Sequence, residues 1–238
     1  MPAAVVAAWP HEGVALKPAG LPCEMPRDAL ADSLVGRTPA GGFGSLRLVH
    51  RLDAAACGLV LVARTREAAA YYSAEIEARR WHKWYVARVA ASPAEAVQLI
   101  GPRKAFLKTD GRQARGVGAG GQPPFLDLTG GPGDTASTAS EEAGVLVRLH
   151  AGRFHQIRAV LARAGAPLVG DTLYGGPEGD VYLEHVVLGV VPAGDRPWTV
   201  WQAPEHPDRP RWAAAMHDAV GEAAATARRT PPPRDPAP

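Results

Sequence analysis

The chain has little cysteine, few aromatic residues and no long apolar run. Its 238 residues include 2 cysteines, Cys23 and Cys57, and aromatic residues make up 6%. Two cysteines without metal-ligand spacing cannot build a disulfide framework or a metal site, so we expect reduced thiols in a cytoplasmic protein. No apolar run approaches the roughly 20 residues that span a bilayer, and the Ala- and Val-rich segment 3–8 lacks the basic leader of a signal peptide. The absences therefore predict a cytoplasmic protein without membrane or metal partners.

The chain also has no large excess of either charge, because it contains 26 basic residues and 24 acidic ones. The balance by itself neither indicates nor excludes a nucleic-acid partner. The distribution is uneven, however, since residues 103–115 contain one acid, Asp110. A solvated loop and a phosphate-binding loop are both compatible with this stretch. Its basic residues are Arg103, Lys104, Lys108, Arg112 and Arg115.

The order of predicted elements is irregular, which favours an α+β fold over an alternating parallel sheet. Apolar runs and alternation predict strands at 12–17, 58–63, 84–89, 145–149 and 186–191. Helical spacing predicts helices at about 65–80, N-capped by Thr65, and at 154–164, closed by Gly165. The segments 39–45 and 116–143 have loop composition. We expect one folded domain over 1–220 and a disordered Ala-, Arg- and Pro-rich tail over 221–238.

Two short motifs combine charged and apolar residues, and they lie about a hundred positions apart. The first, His50-Arg51-Leu52-Asp53, precedes the buried strand predicted at 58–63. A carboxylate so close to a core strand loses part of its hydration and needs a compensating cation or donors. The second motif, GRFHQIR at 152–158, offers Arg158 as that cation. An Asp–Arg pair of this kind is a plausible setting for a carboxylate nucleophile.

At these motifs the chain resembles the RluA-type pseudouridine synthases. The family block H-R-L-D-x-x-T-S-G-L is similar to residues 50–59, and G-R-x-H-Q-I-R matches residues 152–158 at every fixed position. Three further blocks occur in the same order as in the family, and an ordered set carries far less risk of coincidence than one motif. They are K-P-A-G-L at 17–21, K-x-Y-x-A-x-V at 83–89 and G-D-x-x-Y-G at 170–175.

The resemblance implies one catalytic domain with a mixed, mainly antiparallel central sheet, flanking helices and a central RNA-binding cleft. It also implies isomerisation of uridine to pseudouridine in tRNA or rRNA, without metal or organic cofactor. With little sequence ahead of Lys17, we expect a bare catalytic domain that lacks the S4-like N-terminal domain of some relatives, and we expect a monomer.

The family pattern implies a role for each catalytic candidate. Asp53 would act as the nucleophile, Arg158 would pair with it, and Tyr85 would pack on the flipped uracil and move a proton. Each also has an ordinary structural interpretation: a turn cap, a surface arginine and a buried strand tyrosine. Further candidates for contact with RNA are His50, Arg51, Arg153, His155, Gln156 and Leu188.

The chain departs from the family pattern after the nucleophile. Ala56 and Cys57 replace the usual Thr-Ser pair, which removes two hydroxyl groups near Asp53. Two other classes of function stay open at this point. One is a catalytically retired homologue that binds or folds RNA. The other is a glycosidase, which would need a second acid suitably spaced from Asp53.

Overall fold

The computed structural model describes residues 4–38, 46–104, 106–110, 113–117, 125–128, 142–204 and 214–232. The predicted loop 39–45, most of the predicted loop 116–143 and the last six residues of the tail lie outside this part of the chain.

The elements follow one another in an irregular order of strands and helices. The first are β1 (Ala4–Ala8), β2 (Glu12–Lys17), α1 (Leu34–Arg37), β3 (Arg47–Leu48), β4 (Cys57–Ala63) and α2 (Arg66–Glu77). Next come β5 (His82–Val89), α3 (Pro93–Gln98), β6 (Gly101–Lys104), β7 (Phe106–Asp110), β8 (Gln113–Val117) and β9 (Phe125–Leu128). The last are β10 (Ala143–Leu149), α4 (Gln156–Arg163), β11 (Leu183–Val190), β12 (Thr199–Gln202) and α5 (Ala214–Arg229). Short 3-10 helices cover Arg27–Asp32 and Thr172–Tyr174.

Two compact units divide the chain. The first unit comprises residues 1–82, 187–203 and 224–238, and the second comprises 83–186 and 204–223.

In the first unit, β2 pairs antiparallel with both β1 and β4, and β3 pairs with β4. The strand β4 is buried along its whole length, as its continuous apolar run predicts. The register places Lys17 of β2 opposite Gly58 of β4, so the end of β2 lies beside the start of β4, four residues after Asp53. The core includes Leu16, Leu59, Leu61, Tyr72, Trp81, Leu188 and Val190.

In the second unit, β10 pairs antiparallel with β5 and β9, and β9 pairs with β6. The strands β7 and β8 form a separate hairpin, so the basic stretch predicted as a loop contains two paired strands. Helices flank a sheet whose described pairs are antiparallel, and the predicted α+β class is confirmed.

Both predicted long helices are present, and their ends follow local chemistry. The hydroxyl of Thr65 accepts a hydrogen bond from the Ala68 amide at the start of α2, as an N-cap does. The helix α4 begins two residues later than predicted, because His155 adopts a left-handed backbone with φ of 51°. Gly165, with φ of 83°, follows its end as expected.

The predicted disorder of the tail is wrong for residues 221–229, which belong to α5. Alanine has the highest helix propensity, and Val220, Ala223, Ala224 and Ala227 are buried at helical spacing. Trp198 Nε1 also donates a hydrogen bond to the carbonyl of Ala227 at 2.8 Å. Composition alone indicated a solvated tail, whereas burial of the alanine stripe stabilises a helix.

Candidate active site

Asp53 lies in a turn between β3 and β4 in the first unit. Its side chain is half-buried, and its carbonyl accepts a hydrogen bond from the Ala56 amide at 3.0 Å. This bond closes a tight turn immediately before β4, so the strand that is anchored in the core also positions the carboxylate.

Lys17, at the end of β2, holds this turn in place through hydrogen bonds to backbone carbonyls. Its ammonium donates hydrogen bonds to the carbonyls of Pro18, Leu21 and Ala54 at 2.9, 2.6 and 3.1 Å. The side chain is only 1% exposed, and burial lowers the pKa of Lys17 to about 8, although Cys23, Cys57 and Asp53 favour the charged form. The three acceptors compensate the buried charge and tie the backbone next to Asp53 to the segment after β2.

Three further hydrogen bonds hold the same turn. The Gly20 amide donates to the carbonyl of Ala54 at 2.8 Å. The sulfur of Cys23 lies within 3.4 Å of both the amide nitrogen and the carbonyl oxygen of Leu52. The Cys23 thiol is buried, which raises its pKa. Segment 17–23 therefore serves as a rigid support for the turn that carries Asp53.

His50 has a structural use in the first unit. Its Nε2 accepts a hydrogen bond from the Leu61 amide at 2.9 Å, and its ring packs against Trp81 with centroids 5.1 Å apart. Arg51 is exposed. Leu188 is fully buried in the core, and its contact with a substrate base stays a prediction.

Arg158, on α4 in the second unit, forms a two-pronged ion pair with Asp171. Its Nε and Nη2 each lie 2.7 Å from one carboxylate oxygen. Arg158 is 8% exposed and Asp171 is 2% exposed, so both charges depend on this pair for compensation. The guanidinium also lies over the Tyr174 ring, 5.0 Å from its centroid.

His155 extends this network toward the β7–β8 hairpin. Arg158 Nη1 donates to His155 Nε2 at 2.9 Å, so in the neutral ring the proton lies on Nδ1. That nitrogen donates to the Tyr174 hydroxyl at 3.0 Å, which also accepts the Ala114 amide of β8 at 2.7 Å. The network therefore joins the start of α4 to the turn end of the hairpin, where Ala114 pairs with Thr109.

The turn before α4 is held by a hydrogen bond from the Arg153 amide to the Gln156 side chain. Gln156 is buried, and its Oε1 accepts a hydrogen bond from the Arg153 amide at 3.0 Å. Arg153 is exposed, and Phe154 is 46% exposed with its ring stacked on His155, the centroids 3.8 Å apart. Gln156 and His155 thus shape the turn, while Arg153 and Phe154 face solvent.

Tyr85 lies on β5, also in the second unit. It is 5% exposed, and its ring stacks on His185 with centroids 4.5 Å apart and planes inclined by 12°. This stacking fixes the orientation of the aromatic plane before any substrate binds.

The structure thus brings Arg158 and His155 together, and Arg153 and Gln156 together. Asp53 belongs to the first unit, while Tyr85 and Arg158 belong to the second. The predicted Asp53–Arg158 pair stays a prediction.

Sequence reasoning missed the roles of Lys17, Asp171 and Tyr174. Each lies in a block that the sequence itself singles out, at 17–21 or 170–175. Their presence in ordered motifs was the available signal, but the partner of each side chain depends on the fold.

Two classes of feature are absent from the described part of the chain. It contains no cluster of three His, Cys, Asp or Glu side chains that could hold a metal ion. Among its helices, none combines the length and the apolar character that crossing a membrane requires.

The chain is similar to known RNA pseudouridine synthases. Residues 13–163 match the family model described as RNA pseudouridylate synthase. An uncharacterized RNA pseudouridine synthase of Chloroflexus aurantiacus is 31% identical over 208 residues, which are 79% of this chain and 61% of that protein. Ribosomal large subunit pseudouridine synthase D of Xanthomonas campestris pv. campestris is 33% identical over 70% of this chain and 50% of that protein. The chain thus spans from 50% to 61% of the length of these two relatives.

A third relative is similar over more of its own length. The dual-specificity RNA pseudouridine synthase RluA of Salmonella typhi is 30% identical over 71% of this chain and 75% of that protein. The structure titled human RNA pseudouridylate synthase domain containing 1 superposes with a TM-score of 0.73 at 22% identity, covering 98% of this chain and 97% of that one. This last likeness supports the fold. The match of the family model over more than half of the chain shows that the protein belongs to the RNA pseudouridylate synthase family.

Proposed function

We propose that the chain is an RNA pseudouridine synthase that converts uridine to pseudouridine in tRNA or rRNA. The observation that carries the proposal is the family match over residues 13–163. This range contains Asp53, Tyr85 and Arg158, the residues that the family pattern assigns to the chemistry.

The reaction breaks the bond between C1′ and N1 of uridine, rotates the base and joins C1′ to C5. N1 gains a proton and C5 loses one, so the overall change is an isomerisation that needs no oxidant or energy source. In the proposed mechanism the Asp53 carboxylate traps the sugar or the base while the two are detached. The clamp made by Lys17 on the neighbouring carbonyl of Ala54 would hold that carboxylate in place.

Tyr85 and Arg158 have complementary roles in the proposal. The Tyr85 ring, already oriented by His185, would pack on the flipped base, and its hydroxyl would move the C5 proton. The Arg158 guanidinium, held by Asp171, would present its charge to the Asp53 carboxylate. Exposed Arg51 and Arg153 would contact RNA phosphates, and the cytoplasm is the proposed location.

Asp53→Asn tests the activity most directly. The amide is nearly isosteric with the carboxylate but is a very poor nucleophile. We expect the variant to bind RNA and to release no tritium from RNA labelled at C5 of uridine. Asp32→Asn, which changes an exposed carboxylate paired with Arg37, is the matched control and should keep the wild-type rate. Turnover by Asp53→Asn near the wild-type rate would contradict the mechanism.

Mapping pseudouridine in RNA from cells with and without the protein would identify the target nucleotide. A site that disappears in the deletion strain and returns with the wild-type gene, but not with Asp53→Asn, is the expected result. Restoration of the site by Asp53→Asn would contradict the proposal, and a phenotype without any lost site would favour the RNA-binding alternative.

A further inference from the structure

Lys83 is a buried cation whose ammonium group has no acceptor in the described part of the chain. The side chain is 5% exposed, and no hydrogen bond or charged neighbour among the described residues contributes to the pKa of its ammonium. Burial alone lowers the pKa of Lys83 to about 8, with no contribution from a neighbouring charge. The pKa still lies above neutral pH, so the group is mainly charged there. A buried ammonium without compensation destabilises a fold and is typical of functional sites.

Open space lies next to this ammonium. A side-chain Cβ built at Gly152 would lie 3.6 Å from Lys83 Nζ and within 4 Å of no other heavy atom beyond its chain neighbours. Gly152 is itself exposed, so the space beside the nitrogen opens at the surface of the turn that precedes α4.

The surroundings favour an anion. Arg153 of the same turn is exposed, and the turn leads into the N-terminus of α4, where backbone amides and the helix dipole attract negative charge. Two basic residues close in sequence to this turn have other contacts, since Arg148 lies over the Trp84 ring and His150 lies 2.8 Å from the Asp127 carboxylate. No charged neighbour among the described residues contributes to the pKa of Lys83.

The position on the strand suggests which anion binds. Lys83 and Tyr85 are two residues apart on β5, so their side chains leave the same face of the strand about 7 Å apart. This separation is comparable with that between the base and the phosphate of one nucleotide. A base packed on Tyr85 would bring a backbone phosphate within reach of Lys83.

We propose that Lys83 Nζ and the Gly152–Arg153 turn form a binding site for one phosphate group of the RNA backbone. The inference rests on the proposed RNA substrate and adds to it a specific phosphate contact. The bound phosphate would provide the negative charge that compensates the Lys83 ammonium, and the absence of a side chain at Gly152 leaves space for the phosphate next to the nitrogen.

Direct observation of the lysine ammonium tests the site without requiring turnover. The lysines of the chain are Lys17, Lys83, Lys104 and Lys108, which makes the ¹⁵N spectrum of labelled lysine simple to assign. A 12-nucleotide single-stranded RNA and, separately, inorganic phosphate are added while the pKa of each lysine is measured. We expect the RNA to raise the pKa of Lys83 by at least about one unit, because the anion stabilises the charged form. Lys17, which is also buried but is bound to three carbonyls, is the internal control and should respond less than Lys83.

Two variants extend the test to affinity. Lys83→Met should weaken RNA binding by about 10- to 100-fold at physiological salt. It should also flatten the log–log salt slope by about 0.7, the value for one phosphate on single-stranded RNA. Gly152→Ala keeps the charge but narrows the approach, and its Cβ fits without a clash; it should reduce affinity while leaving thermal stability unchanged.

An unchanged pKa of Lys83 at saturating RNA, or a wild-type salt slope in Lys83→Met, would overturn the site. A response to inorganic phosphate but not to RNA would overturn the assignment to RNA. Failure of the wild-type protein to form pseudouridine would contradict the proposed function instead, because the NMR measurement needs no turnover.

Discussion

Two buried lysines, one in each unit, differ in how the fold treats their charge. Lys17 is 1% exposed and donates to three backbone carbonyls, whereas Lys83 is 5% exposed and finds no acceptor among the described residues. Burial lowers the pKa of both to about 8. Similar pKa values therefore accompany opposite arrangements, and the difference supports a structural role for Lys17 and a ligand-binding role for Lys83.

The same contrast is found among other charged groups of the two units. In the first unit the turn that carries Asp53 is supported by a charge satisfied from within. In the second unit Arg158 is satisfied by Asp171, but Lys83 on β5 is not. Compensated charges fix the geometry of a site, whereas an uncompensated charge can attract a ligand.

The largest expected effect comes from breaking the compensated pair in the second unit. Arg158→Ala leaves the Asp171 carboxylate buried without its cation, which costs about 3–5 kcal/mol for such pairs. We expect a lower melting temperature together with lost isomerisation. The double variant Arg158→Ala/Asp171→Ala should be less destabilised than the sum of the single changes. An unchanged melting temperature in Arg158→Ala would contradict the buried pair.

Lys17→Met should have the next largest effect. It removes the donor from three carbonyls, and the loss of buried acceptors is expected to cost about 2–4 kcal/mol after relief of the lysine desolvation. Activity should fall even at temperatures where the variant is folded, because the Ala54 carbonyl beside Asp53 loses its anchor. Thermal unfolding and tritium release measure the two effects. If Lys17→Met were as stable as the wild type, the hydrogen bonds of Lys17 would not stabilise the fold, and Lys17 and Lys83 would not differ in structural role.

Lys83→Met should instead stabilise the protein at neutral pH, by up to about 3 kcal/mol, because it removes a charge that burial penalises. The gain should depend on pH. The pKa of Lys83 in the folded state, about 8, lies below its ordinary value of 10.5, so between these values the folded protein binds fewer protons than the unfolded chain.

The burial penalty of Lys83 is therefore complete below pH 8 and is relieved as the pH rises toward 10.5. Melting temperatures of the wild type and Lys83→Met should converge over that range. A destabilised Lys83→Met variant at pH 7 would mean that the lysine has a structural partner.

The smallest expected effect concerns the exposed charges of the β7–β8 hairpin. Lys108 lies directly opposite Arg115, a like-charge pair that disfavours the hairpin and is only partly offset by the 3.2 Å ion pair between Arg115 and Asp110. Lys108→Ala should leave stability within about 0.5 kcal/mol.

If the hairpin contacts RNA, each lost contact should flatten the salt slope of binding by about 0.7. Arg37→Ala, which changes an exposed cation paired with Asp32 in the first unit, is the control. An identical salt slope in Lys108→Ala would mean that Lys108 is only a solvated surface residue.

Local structure was largely predictable because its signals are local. The strands β2 and β4 follow from apolar runs, and α2 begins at its Thr65 cap as predicted. The start of α4 was misplaced because a left-handed residue at His155 has no marker in the sequence. The helix α5 was missed because an alanine-rich segment forms a helix when its small side chains are buried, and burial depends on the rest of the fold.

The sequence by itself determined the family, the fold class and the positions of the family's motif blocks, because these depend on residue types in a fixed order. Only the tertiary structure decided which groups meet. Ala54, an acceptor of Lys17, is 37 positions away, and Asp171 is 13 positions from Arg158. Lys17 and Lys83 both lie in recognisable blocks, and nothing in the sequence distinguishes them. The three-dimensional arrangement of acceptors does, because the energy of a buried charge depends on what surrounds it in space.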